Sequence, residues 1–196
     1  MVRSRQENTH RALGAVLFGG AVIFIGAEAT RVADANLSRD FLQAWLMTSY
    51  ILLAIGIWSA VALKRDMLVI AGTIAASLGA LGLAYSSGAM IPNDLDGIRL
   101  IESSTIYIIE QILAVAGVAA IGVALLLGQR RGTLMMPLGA LLIAAAAFAA
   151  ATHIFNLASP WQPVSLIVLG VALLAFAVAA SSPDRWLVRE AVVSPS

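Results

Sequence analysis

Cysteine is absent from this 196-residue chain, histidine occurs twice, and charged residues make up only 12% of it. Each scarcity removes a class of chemistry. Without Cys there is no disulfide, thiolate metal site, iron–sulfur ligation or thiol nucleophile. With only His10 and His153, a bis-histidine haem within one chain would have to draw on the N-terminal tail. A net charge of +1 provides no field of one sign to attract nucleic acid. Soluble domains carry about 25% charged residues, roughly twice the share found here.

What is abundant is apolar. Hydrophobic residues account for 60% of the chain, and the mean hydropathy is +0.91. A 20.4 kDa globule has too much surface to hide that excess. The composition therefore excludes a soluble enzyme, a nucleic-acid binder, a coiled coil and a disordered chain.

A membrane-spanning helix needs about 20 mostly apolar residues. Six segments qualify: Ala12 to Ala29, Phe41 to Leu63, Met67 to Met90, Ser104 to Leu127, Leu134 to Leu157 and Val164 to Ser181. None alternates with the period of two that a membrane barrel requires. The expected fold is an all-α integral membrane protein of six transmembrane helices arranged as three hairpins. Residues 1–11 form a cytoplasmic N-terminal segment, 12–182 the helical domain and 183–196 a cytoplasmic tail. Lys64-Arg65-Asp66 and Gln129-Arg130-Arg131-Gly132 are tight charged turns, while Thr30 to Asp40 and Ile91 to Glu102 are longer loops. Trp186 and Leu187 are placed to anchor the tail at the interface.

Positive charge orients the bundle. Arg3, Arg5, Arg11, Lys64, Arg65, Arg130, Arg131, Arg185 and Arg189 fall on one side, and only Arg31, Arg39 and Arg99 on the other. Nine against three assigns both termini to the cytoplasm. A bacterial inner membrane is the expected location. Leu13 to Gly26 followed by Ala27-Glu28-Ala29 resembles a signal peptide with a small-residue cleavage site. The apolar stretch is long for a signal, so an uncleaved first helix is expected. Leu-Gly-Ala recurs at Leu13, Leu78 and Leu138, once in each opening helix. Low-complexity apolar sequence also produces such echoes, so they do not establish a triplication.

Depth follows from position along each helix at 1.5 Å per residue. Polar side chains collect toward the outer ends: Glu28, Tyr50, Tyr107, Glu110, Gln111, His153 and Asn156. The cytoplasmic half offers only hydroxyls such as Ser59, Thr73 and Ser77. An open aqueous pore needs polar lining throughout or a hydrophobic gate. The dry inner half therefore argues against one. Together the outer residues suggest a candidate outer-leaflet polar site suited to a lipid headgroup, a quinone or a partner helix. Glu110 is the sharpest member, because a carboxylate inside an apolar span is costly and marks function by default. Tyr107 shares its helical face. His153 and Asn156 form an i, i+3 pair.

No catalytic motif accompanies these residues. Asp94-Leu95-Asp96-Gly97-Ile98-Arg99 has the wrong spacing for the acidic motif of CDP-alcohol phosphotransferases, and the further aspartates of that family are missing. Asn93 to Gly97 is more simply a polar turn. Tyr85-Ser86-Ser87-Gly88 lacks the first Gly of the rhomboid protease motif. Walker, dinucleotide and zincin patterns do not occur, and no cofactor or metal is indicated. The expected function is that of a non-catalytic multi-pass protein, an accessory subunit or an envelope or lipid-interacting protein. Its partners would be the bilayer and either a membrane protein or a lipid-like ligand. Two other classes stay open: a small-solute or ion permease using Glu110, and a membrane enzyme or binder for a lipid-like substrate at the outer leaflet.

Overall fold

A bilayer core holds no water to bond a bare backbone, so a spanning segment must satisfy its own N–H and C=O groups. In the computed structural model of this chain the apolar runs become helices. They are α1 (Val2–Val32), α2 (Arg39–Gly56), α3 (Ser59–Leu63), α4 (Met67–Met90), α5 (Leu95–Glu102), α6 (Thr105–Leu126), α7 (Met135–Ile154) and α8 (Trp161–Ser181). The structure describes residues 2–33, 38–63, 66–93, 95–127, 135–155 and 160–181, and among these there is no strand. Six spans are long and apolar enough to cross a membrane: α1 from Asn8, α2 with α3, α4, α6, α7 and α8.

Local chemistry starts several of these helices. Ser38 accepts from the Phe41 amide at 3.3 Å, Asp66 from Leu68 at 2.8 Å and Ser104 from Tyr107 at 3.2 Å. Each side-chain oxygen occupies an amide donor that the first helical turn leaves open.

Two expectations need correction. Phe41 to Leu63 is not one continuous helix. It breaks at Ile57–Trp58, between α2 and α3. There the Trp58 amide bonds to the Ile55 carbonyl at 3.4 Å rather than to Ala54. The released Ala54 carbonyl accepts from the Ser77 hydroxyl of α4 at 2.9 Å. Gly56 sits at the break, and its missing side chain lets the Leu17 backbone of α1 lie against it. The second correction concerns Ile91 to Glu102, which contains the helix α5 rather than only loop. Ile98 of α5 is buried, whereas Leu100 is exposed, so this short helix rests one side on the bundle.

Small residues then bring the spans together, as they must where lipid supplies no hydrophobic drive. A Cβ on Gly117 of α6 would stand 2.5 Å from the Gly72 carbonyl of α4. Gly122 of α6 and Gly139 of α7 face each other in the same way, at 2.8 and 2.7 Å from the opposing carbonyls. Every strong helix interface joins neighbours in the chain, and α8 returns to α1. Contacts such as Gly20–Leu52 with Gly26–Trp45, and Gly14–Ser181 with Gly170–Ile25, make the neighbours antiparallel. The six spans thus form a closed up-and-down ring. The C-terminal ends of α1, α4 and α7 lie at one end of it, called here the loop end.

Candidate functional site

The ring surrounds a cavity of about 1010 Å³. All six spans contribute to its wall, so it exists only because the ring closes. Its volume lies at the upper end of the roughly 300–1,000 Å³ of ligand pockets.

The wall is divided along its depth. Leu17, Leu53, Ile57, Val118 and Leu173 form the deep part, away from the loop end. Arg31, Gln43, Tyr50, Glu102, Tyr107 and Gln111 lie toward the loop end, with Ser87, His153 and Gln162. The cavity is consequently apolar in depth and carries its polar groups at the rim, where Met90, Ile108 and Ile154 also line it.

The rim is organised around α1. Glu28 is fully buried, and Arg31 one turn later reaches back to it, with Nη1 3.2 Å from Oε2 and 3.4 Å from Oε1. The pair is i, i+3 on one helix, so local geometry assembles it. Pairing is what makes a buried carboxylate tolerable, since an isolated one is very costly. Arg31 also lies close enough to Tyr50, Tyr107, Glu102 and His153 to interact with them electrostatically. The Tyr107 phenol and the Gln111 amide lie one helical turn apart on α6, both on the cavity wall. The Tyr50 ring packs on Phe24 with centroids 5.6 Å apart.

The residues singled out in the sequence divide into groups. Tyr50, Tyr107, Gln111 and His153 come together on the cavity wall. Glu28 lies behind Arg31 as its ion-pair partner. Glu110 is not on the wall. It is wedged against Gly82 of α4, where a Cβ would stand 2.5 Å from its Cγ, and its Oε2 accepts from the Ser86 hydroxyl at 2.7 Å. The face shared by Tyr107 and Glu110 splits between cavity and interface. Asn156 lies outside the described residues.

Sequence reasoning missed Arg31, Gln43, Glu102 and Gln162. Arg31 entered only as one charge in the orientation count, although its i, i+3 spacing from Glu28 was a readable signal. Gln43, Glu102 and Gln162 sit near helix ends, where polar residues are ordinary. Only ring closure shows that they face inward.

Ser59 and Thr73 are fully buried, and no partner is present for their hydroxyls among the described residues. Ser77 is committed to the Ala54 carbonyl. Between α7 and α8, Thr152 and Ser165 share a hydrogen bond of 2.8 Å inside the wall. Among the described residues no cluster of His, Asp or Glu has the makings of a metal site. No protein family matches the chain, and no curated protein or solved structure matches it either.

Proposed function

We propose that this protein is a non-catalytic, lipid-interacting membrane protein that holds an amphipathic, lipid-like molecule in its central cavity. One observation carries the reading: the cavity is apolar in depth and carries its polar groups at one end. Such a wall matches a molecule with one polar head and an apolar body, and it matches little else. A water-soluble solute would leave the deep aliphatic wall unused. Side chains such as Tyr107, Gln111 and His153 would bond the head.

The charge asymmetry of nine against three supports placing both termini in the cytoplasm. The polar rim then lies in the outer leaflet, at headgroup depth. Three helical hairpins in a bacterial inner membrane fit the same orientation. The permease reading has less support, because Glu110 is bonded at the α4–α6 interface and the deep wall is aliphatic.

The test is gentle purification of the intact protein from native membranes, with mass spectrometry of bound small molecules. A lipid-like molecule is expected at near-stoichiometric level, enriched over bulk lipid and lost in Gln111→Leu with Tyr107→Leu. A protein free of enriched small molecules but bound to a stoichiometric protein partner would replace this reading with that of an accessory subunit.

A further inference from the structure

The cavity wall is not equally sealed all round. Lining residues of α1, α2, α4 and α8 such as Leu17, Phe24, Leu46, Leu83 and Leu173 are buried, at 6% exposure or less. The cavity itself therefore gives its walls little accessible surface. On α6 and α7 several lining residues near the loop end behave differently, although Val118 and Ala146 are buried too. Ile108 and Ile112 of α6 are 48% and 59% exposed, and Ile154 of α7 is 76% exposed, yet all three line the same cavity. Ala116 and Ala147 are likewise both exposed and lining. A residue can satisfy both conditions only where the cavity meets the outer surface.

Helical spacing makes this a slot. Ile108, Ile112 and Ala116 recur every fourth residue along one stripe of α6, and Ala147, Ala150 and Ile154 form the matching stripe on α7. At the far end of the same pair of helices, Gly122 and Gly139 bring the backbones into contact. The two helices meet tightly at the glycines, and toward the polar rim their facing stripes carry side chains that touch both the cavity and the outer surface. The edges of the slot are aliphatic, as a path from hydrocarbon requires.

The rim also restricts the head. Its strongest cation, Arg31, is already neutralised by buried Glu28, and Glu102 adds a further negative charge nearby. An anionic head would meet the carboxylates of Glu28 and Glu102 beside the one guanidinium, and a cationic head would lie beside the guanidinium. The neutral hydrogen-bonding groups Gln43, Tyr50, Tyr107, Gln111 and Gln162 remain for recognition.

We infer that the slot between α6 and α7 is a lateral portal through which an uncharged, long-chain lipid with a carbonyl-bearing head passes from the bilayer, its head at the rim and its chain in the deep cavity and slot. The inference rests on the proposed role of the cavity as a ligand site.

The absence of Cys makes the test clean. Ile112→Cys with Ile154→Cys is prepared in the full-length chain, reconstituted in phosphatidylcholine nanodiscs and offered a benzoquinone bearing a prenyl chain. The two thiols are bridged with a flexible bis-maleimide either before or after loading. The unbridged half of the same preparation serves as the folding control. Bridging before loading is expected to slow uptake about tenfold or more, a barrier rise of roughly 1.4 kcal/mol. Bridging after loading is expected to slow release by a similar factor. Binding of the quinone with rates unchanged by the bridge would overturn the portal. Binding of a fatty acid or phospholipid but not of the quinone would overturn the neutral-head assignment and leave the cavity site standing. Failure of every lipid to bind the unbridged protein would overturn the cavity reading itself.

Discussion

Glu28 and Arg31 illustrate how little a residue's chemistry says before its neighbours are known. The carboxylate is fully buried, but the Arg31 side chain is 37% exposed, so water screens part of their attraction. Arg31→Met is expected to lower stability by about 1–3 kcal/mol, less than the roughly 3–5 kcal/mol of a fully enclosed broken pair. Adding Glu28→Met should restore most of the loss, because the stranded carboxylate is what destabilises the single variant. Thermal unfolding of the three variants in one detergent reads this directly, and a double variant weaker than either single one would contradict it. Glu110 gives the opposite expectation for binding. Glu110→Leu leaves the Ser86 hydroxyl without its acceptor and should lower stability by about 1 kcal/mol. Retention of a cavity ligand should be unchanged. Glu110 could be singled out in the sequence as a buried carboxylate. Whether it faces the cavity or α4 depends on a rotation of α6 that the apolar pattern leaves free.

At the scale of elements, the break between α2 and α3 and the glycine contacts set the packing. Ser77 donates across to the Ala54 carbonyl that the break releases. Ser77→Ala should therefore destabilise the bundle by roughly 0.6–1.7 kcal/mol, the range of interhelical hydrogen bonds in membranes. Ser77→Thr should recover part of that loss. Gly117 has no such latitude. Its added Cβ would meet the Gly72 carbonyl at 2.5 Å, and backbone yields far less readily than a side chain. Gly117→Val should lower the unfolding midpoint by an overpacking penalty of about 1–3 kcal/mol. Gly19, which has open space around it, is the control position, and Gly19→Ala should leave the midpoint near wild type.

For the molecule as a whole, six spans in a ring have an even number, so up-and-down neighbours close on one another without a parallel pair. Orientation is tested in the same Cys-free background. Leu100→Cys on α5 and Leu127→Cys just beyond α6 are both well exposed, at 72% and 71%. A membrane-impermeant maleimide applied to intact cells should label the first and spare the second until the membrane is permeabilised. The reverse pattern would invert the bundle and place the polar rim in the cytoplasmic leaflet.

The chain alone determined its solvent. Its apolar excess, scarcity of charge and six runs of spanning length leave a helical membrane protein as the physical outcome, because only hydrogen-bonded helices or closed barrels survive in hydrocarbon. The alternation of basic and polar ends was legible for the same reason, since depth along a helix is a linear property of sequence. Azimuth is not. In a lipid-facing bundle both the outer and the inner faces are apolar, so no hydrophobic stripe distinguishes them as it does in water. Tertiary structure therefore decided that Glu110 faces α4, that Arg31 and Gln43 face inward, and that Gly122 and Gly139 face each other. The break at Ile57–Trp58 likewise involves neighbours distant in sequence, the Ser77 hydroxyl on the Ala54 carbonyl and the Leu17 backbone against Gly56.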